Sequence, residues 1–305
     1  MPLTRADTVA PRAAAARAVV ERLLSGGVDP RPLAVLRLVI GGTAFVRALV
    51  EYGILERLLR PTTIRLSYVS WLPQLAPPAI PGLVVLWAAA ALFFACGWWT
   101  RTAGVVLAAT VLYVLLLDEQ TYSNHLYLLV LIVLLLVLAN AGAAFSVDAR
   151  RGAAPPRAEA YAVWLLRTQV SATYAFAALA KLNAVYLSGA TLAGYMSADL
   201  LAALPAATRL PFVLACSWGT IAVEMGLAAA LWSARWRRIA VAAGVALHFG
   251  MVALLPPGTR VQLAIFAIEM VALYVAFFVQ LPSIPASAYA VDADGLYTRT
   301  SWPRR

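Results

Sequence analysis

Of the 24 lysine and arginine residues in the sequence, one is a lysine, Lys181, and it lies in the apolar run Tyr174-Ala-Phe-Ala-Ala-Leu-Ala-Lys-Leu182. A guanidinium keeps its proton at any accessible pH, whereas a desolvated ammonium can lose it. A lysine placed where the chain elsewhere uses arginine therefore has the chemistry of a base or nucleophile near neutral pH. The alternative is a lysine that snorkels from a helix end to the lipid headgroups. The sequence has two histidines, His125 and His248, both in or beside apolar runs. His125 follows Asp118-Glu-Gln-Thr-Tyr-Ser-Asn124, a polar turn in which Asn124 and His125 could cap a helix or orient a ligand. His248 has no helical neighbour of opposite charge, so it reads as a neutral ring bonded to another helix or as a member of the site. Glu224 and Glu269 also fall inside apolar runs, where a carboxylate is costly unless paired or neutral; Lys181, Arg37 and Arg167 are the cations available to them.

Arg167, Tyr174 and Lys181 are spaced by seven and share one helix face, with Gln169 close by, a spacing that equally suits an interface to another helix. The sequence contains no phosphate loop, nucleophile elbow, HExxH or dinucleotide fingerprint. His125, His248 and Glu224 are ligand types for a metal, but their spacing selects none, and no metal site is assigned. Cys96 and Cys216 lie in apolar runs without CxxC spacing and read as packing residues. Whatever chemistry occurs rests on amine, imidazole and carboxylate.

The elements that must position these groups are transmembrane helices. Apolar residues make up 63% of the chain and charged ones 12%, against about a quarter charged in soluble domains. The pattern predicts an all-α polytopic helical bundle of about eight spans, within a range of about seven to nine. They fall near residues 33–52, 80–99, 103–119, 126–144, 161–181, 212–232, 238–255 and 262–281. Residues 1–32 form a cytoplasmic segment in which Arg12, Arg17, Glu21 and Arg22 alternate with Val19, Val20, Leu23 and Leu24, as in an interfacial amphipathic helix. Residues 33–281 form the membrane domain and 282–305 a cytoplasmic tail. The proline-bearing link after the first span and the link 187–211 are long enough to hold short helices. The segments on one side carry about fifteen Lys/Arg and those on the other about five, which places both termini in the cytoplasm of a plasma (inner) membrane. His125, Lys181 and His248 then gather in the outer half. The net charge of +10 comes without a basic stripe interleaved with aromatics, so nucleic acid is excluded as a partner and membrane lipid is expected.

The segments Leu117-Asp-Glu-Gln-Thr-Tyr-Ser-Asn-His-Leu-Tyr-Leu128, Ala139-Asn140, Phe145-Ser-Val-Asp148, Leu166–Leu182 and Tyr186-Leu-Ser-Gly189 together resemble the vitamin K-dependent γ-carboxylase family. In bacteria the same membrane unit is called the HTTM domain. Leu33–Gly41 fits as well, so the likeness spans most of residues 33–281 and is densest between 113 and 189. The resemblance implies a menaquinone- or vitamin K-type naphthoquinol cofactor, with oxygen and carbon dioxide as co-substrates. It implies Lys181 as the base toward the quinol and His125 as its catalytic partner. Asn124, Tyr174, Gln169, Arg167, His248 and Glu224 are the cofactor-binding candidates. The implied activity is quinol epoxidation coupled to carboxylation of a peptide or protein glutamate, a lyase and oxidoreductase chemistry. The animal enzymes continue into a large lumenal domain, and this chain has a short tail after the last span; peptide carboxylation therefore stays open while quinol handling does not depend on that domain. The rival reading is a non-catalytic protein that uses the pocket for a lipid, quinone or peptide in the maturation or export of a partner.

Overall fold

Apolar runs separated by short polar links leave the backbone one solution in a lipid medium, helices whose amides pair within the segment. The computed structural model describes residues 26–281, and these residues take that solution. In chain order the helices are α1 (Arg31–Leu58), α2 (Ile80–Cys96), α3 (Thr100–Leu117), α4 (Asn124–Leu138), a short α5 (Val147–Arg150) and α6 (Ala160–Ala180). Three short helices follow, α7 (Ala184–Leu187), α8 (Ala190–Tyr195) and α9 (Ala198–Ala203). The chain ends its described part with α10 (Ala206–Ala230), α11 (Arg237–Leu254) and α12 (Arg260–Leu273), the last tightening into a 3-10 turn over Tyr274–Phe278. A two-residue ribbon, β1 (Gly27–Val28) against β2 (Ala158–Glu159), is antiparallel with Gly27 opposite Glu159.

Each of the eight apolar runs coincides with one long helix. Among the described residues, six stretches are long and apolar enough to cross a membrane: 31–58, 77–96, 100–117, 206–230, 237–254 and 257–278. The other two long helices pack among them. One is α4, apolar but 15 residues long; the other is α6, whose Arg167, Thr168, Gln169, Ser171 and Thr173 dilute its apolar content. The protein is a multi-pass, all-helical membrane protein. The fourth helix is shorter than the predicted 126–144 because Asn140 takes a left-handed conformation and a 3-10 turn follows at Ala141–Ala143. The segment after α1, expected to hold short helices, holds turns and one 3-10 turn at Pro77–Ala79. Pro61, Pro73, Pro77 and Pro78 remove amide donors there and bias the preceding residues away from helix. The link after α6 does hold short helices, as predicted. The amphipathic helix placed at residues 1–32 and the tail 282–305 lie outside the described residues.

Consecutive helices run antiparallel, so the links fall at two ends. The ribbon end carries β1, β2 and the links around 97–99, 139–159 and 231–236. The opposite end, here the lysine end, carries 59–79, 118–123, 181–205 and 255–259. Helix α1 is the hub: Leu33, Leu36, Ile40, Ala44, Ala48 and Leu55 are all buried in the core, and α1 packs against both α2 and α12.

At the ribbon end the buried Arg37 holds three elements together. Its Nε donates to the Ala141 carbonyl at 3.1 Å, Nη1 to Phe94 at 2.7 Å and Ala95 at 2.5 Å, and Nη2 to Phe145 at 2.7 Å. These carbonyls lie at the C-terminus of α2 and in the turn after α4, where a helix end leaves acceptors short of partners; that of Phe94 also accepts from the Gly97 amide at 3.1 Å. Gly97 ends α2 with φ of 69°, and a Cβ there would collide with Ser146 and the Arg37 guanidinium, so the site demands glycine. Asp148 caps α3 from across the link: it accepts from the Trp99 amide at 2.9 Å and from the Thr100 amide and hydroxyl at 2.7 Å each. Burial pushes its carboxyl up, but those Thr100 and Trp99 donors, with Arg37 nearby, outweigh burial and hold it below the ordinary aspartate range.

Arg37→Met keeps the volume and strips the carbonyls of their donors, which should cost about 2–4 kcal/mol, read as a lowered unfolding midpoint of the detergent-solubilised protein. Arg37→Lys, with fewer and less forked donors, should recover part of the loss.

Candidate functional site

Helix α6 stops at Lys181 because Asn183 turns the chain: its side chain accepts from the Tyr186 amide at 3.0 Å and starts α7. Ser217 on α10 then fixes α7 by donating to the Tyr186 carbonyl at 2.5 Å. This corner aims the Lys181 side chain back into the bundle. Its Nζ donates to both carboxylate oxygens of Glu224, at 2.9 and 2.8 Å, and to the Ala177 carbonyl at 3.1 Å. The Tyr186 ring lies 5.9 Å from the amine. Three ammonium protons thus meet three acceptors. The lysine side chain is 23% exposed and that of Glu224 8%. The amine is therefore not directed to the headgroups, as the snorkelling alternative requires.

The seven-residue stripe of α6 faces three different helical partners. Arg167 donates through Nε to the Ala276 carbonyl at 2.9 Å and through Nη2 to Val279 at 2.6 Å, closing the end of α12. One stripe position on, the Tyr174 hydroxyl lies 2.7 Å from His248 Nε2 on α11 and 2.5 Å from the Tyr274 hydroxyl. Tyr274 fits there because residue 244 is glycine: a Cβ at Gly244 would overlap the phenol. His248 is buried, and among the described residues its other ring nitrogen, Nδ1, has no hydrogen-bond partner.

His125 sits in the first turn of α4 on the far side of this cluster. Its ring stacks on Phe266 at 4.0 Å between centroids, and Phe266 also meets His248 edge-on at 5.4 Å. A small cleft beside it is lined by Arg47, His125, Gln262, Phe266 and Glu269. Arg47 donates through Nε to Glu51 at 2.9 Å, and both side chains are buried.

Lys181 and Glu224 come together, and Tyr174 comes together with His248. Among the described residues no hydrogen bond joins Lys181 to His125; His125 is linked instead through Phe266 and His248 to Tyr174. Among the described residues, Gln169 bonds only within its own helix, to Thr173 at 3.3 Å. Asn124 is exposed and is not the cap of α4: Ser123 is, its hydroxyl accepting from the His125 amide at 3.3 Å. Arg37 and Arg167, considered as carboxylate partners, spend their donors on carbonyls; the cation sharing a cleft with Glu269 is Arg47. The metal reading has no support: among the described residues no three His, Cys, Asp or Glu side chains could hold an ion, Glu224 being taken by Lys181 and His248 Nε2 by Tyr174. Cys96 is exposed on the bundle surface and not a packing residue as expected. Sequence reasoning missed Tyr274, Phe266 and the Arg47–Glu51 pair. Of these only the pair left a signal, opposite charges four residues apart within an apolar helix.

A family model described as the HTTM domain matches residues 27–280 of the chain. No curated protein and no solved structure matches it.

Breaking one member of a buried ion pair strands the other, whereas replacing both restores a neutral interior. Lys181→Met and Glu224→Leu should each lower stability by about 2–3 kcal/mol, the lysine's partial exposure moderating the cost. The double variant should recover most of that loss in a thermal-unfolding cycle. Additive losses would mean that the two groups are not energetically paired.

Proposed function

The chain belongs to the HTTM-domain family, whose domain is found in vitamin K-dependent carboxylase-like proteins, and from that premise we propose that it binds an isoprenoid naphthoquinol of menaquinone or vitamin K type at the Lys181–Glu224 pair. The observation that carries the reading is the pair itself: the one lysine of the chain, turned into the bundle against a carboxylate and still partly accessible. Phe176, Leu179, Leu182 and Val185, all exposed on the same stretch, supply an apolar surface suited to an isoprenoid tail. When bound, the quinol supplies a hydroxyl proton and the reducing chemistry that oxygen completes, yielding epoxide and a strong base.

Lys181 takes the hydroxyl proton at Nζ, and Glu224 stabilises the ammonium that results. To act as a base the amine must start neutral, so the pair works with one proton fewer than the ion pair holds. Tyr174, on the same helix as the amine, is hydrogen-bonded to His248, and His125, stacked on Phe266, is the imidazole that the reading assigns to positioning the reacting charge. Coupling to carbon dioxide and a peptide or protein glutamate extends the same chemistry. A non-catalytic reading, binding of a lipid, quinone or peptide in a partner's maturation or export, is favoured by one feature: all three ammonium protons of Lys181 already have acceptors.

The orientation follows from charge. The ribbon end carries Arg101, Arg150, Arg151, Arg157, Arg235, Arg237 and Arg238, and the lysine end Arg60, Arg65, Arg209, Arg260 and Lys181. The positive-inside rule puts the ribbon end in the cytoplasm of the plasma (inner) membrane and the site in the outer half. In a background lacking Cys96 and Cys216, an impermeant thiol reagent added outside intact cells should label Ser123→Cys. Labelling only after the membrane is opened would invert the protein.

The chemical test is Lys181→Arg. With reduced menaquinone and oxygen, the wild-type protein should form quinone epoxide, and the folded Lys181→Arg variant should lose that activity by about a hundredfold or more, as for a lost general base. His125→Ala should lose less. Quinol binding without epoxide would leave the binding reading in place of the enzyme, and full activity in Lys181→Arg would take the role of base from Lys181.

A further inference from the structure

We infer that the ribbon end carries a site for the headgroup of an anionic glycerophospholipid, in the cleft between the α2–α3 corner and the loop that leads to β2. The site is separate from the Lys181–Glu224 pair, which lies at the other end of the bundle, and does not depend on what that pair does. The cleft encloses about 190 Å³ and is lined by Trp99, Arg101, Asn140, Asp148, Ala153 and Pro155 among others. That volume is below the roughly 300–1,000 Å³ of pockets that enclose a whole small ligand. It suits a phosphate and its glycerol whose acyl chains stay in the bilayer.

Arg101 supplies the charge. Its Nη2 donates to Asn140 Oδ1 at 2.5 Å, and Asn140 in turn donates through Nδ2 to Glu159 at 3.1 Å, so the guanidinium is oriented with most of its donors left over. Asp148, the anion in the lining, does not compete for it, because its two oxygens are taken by Trp99 and Thr100. The surrounding links add Arg150, Arg151 and Arg157, all exposed. Of the acidic residues there, Asp148 and Glu159 are engaged by uncharged donors and Asp29 is paired with Arg31. The local balance is therefore positive at the level where anionic headgroups collect.

Tryptophan places that level. Trp99 is 62% exposed at the rim of the cleft and holds φ of 48°, a left-handed conformation that non-glycine residues rarely adopt. The Asp148 carboxylate secures it through the Trp99 amide, leaving the indole outside. Trp98 lies under the Arg151 guanidinium at 5.4 Å, and at the same end Trp236 lies under Arg235 at 5.3 Å. Indoles paired with arginines at one end of a helical bundle mark the headgroup layer. A structural role for Arg101 alone would need neither the open cleft nor the exposed indole beside it.

The test uses the full chain in nanodiscs of mixed phosphatidylcholine and phosphatidylglycerol, with lipids retained after gentle extraction counted by native mass spectrometry. The wild-type protein should retain phosphatidylglycerol over phosphatidylcholine. Arg101→Ala should lower phosphatidylglycerol retention about fivefold, the scale of one lost charge-assisted contact. Arg60→Ala, which removes an exposed arginine at the opposite end of the bundle, should leave retention unchanged. Ala153→Glu is the second variant: residue 153 is exposed on the cleft wall and uses its amide, not its side chain, toward Asp148, so it should reduce retention without disturbing the fold. Equal retention of the two lipids, or wild-type retention in a folded Arg101→Ala, overturns the proposal. So does wild-type retention in Ala153→Glu, which decides the matter if Arg101→Ala fails to fold. Millimolar inorganic phosphate that displaces phosphatidylglycerol as well as added lipid does would make this a free-anion site and overturn the lipid assignment.

Discussion

A charge inside a bilayer has to be neutralised by the protein that carries it, since no water is available to do so and the desolvation cost is large. This bundle meets that constraint in two ways, divided between its ends. Toward the ribbon end, Arg37 and Arg167 are neutralised by backbone carbonyls at the C-terminal ends of α2 and α12. Toward the lysine end, Arg47 and Lys181 meet carboxylates, Glu51 and Glu224. A guanidinium bonded to carbonyls cannot shed a proton and has nothing opposite it that could take one. An amine bonded to a carboxylate has both. The first arrangement fastens helix ends; the second places titratable groups side by side in the interior.

The groups that joined the pairs could be read only in part from sequence. Positions 167, 174 and 181 shared a face of α6 by spacing alone, and each of the three does reach out of that helix to a neighbour. The neighbours were not readable, because helical periodicity fixes direction around one axis and says nothing of which helix lies there. Hence Glu224 was recognised as costly but its partner stayed one of three cations, and Tyr274, two helices and a hundred positions from Tyr174, left no trace. Its place depends on Gly244, an unremarkable residue in an alanine-rich helix until the phenol beside it is known. The eight apolar runs were legible as helices because apolar length is a one-dimensional property, and among the described residues six of those helices are long and apolar enough to cross a membrane. The end of α4 was not, because Asn140 terminates it by a left-handed backbone turn inside an otherwise apolar run.

The same distinction bears on what the motif-rich stretch between residues 113 and 189 contains. Its middle part builds the ribbon end: Phe145 takes up an Arg37 donor through its carbonyl, Ser146 accepts from the Ala149 amide, and Asp148 caps α3. Its first part shapes the lysine end through Asp118, which accepts the Leu66 amide at 2.8 Å and so pins the long link after α1 over the start of α4. In this stretch Tyr174, Lys181 and His125 place polar side-chain tips among titratable groups of other helices. Dense sequence likeness therefore marks architecture as much as chemistry: the residues around Asp148 and Asp118 fix the two ends of α3, and α3 packs against α4, which carries His125.

That arrangement assigns different work to residues that look alike in sequence. The imidazole of His125 approaches its neighbours by stacking, with Phe266 between it and His248, whereas His248 is held at Nε2 by a phenol and its buried Nδ1 has no partner among the described residues. A buried ring nitrogen without a partner carries a desolvation cost that the fold has to offset elsewhere. Tyr174, bonded to the other ring nitrogen and in turn to Tyr274, supplies part of the offset, since a hydroxyl can donate to one neighbour while accepting from another. Tyr174 is thus the residue on which the interior polar cluster turns: it is one stripe position from Lys181, bonded to His248, and bonded again to the far end of α12 through Tyr274. A movement of α6 that alters the Lys181–Glu224 contact must also alter the environment of His248, because both contacts leave the same rigid helix face.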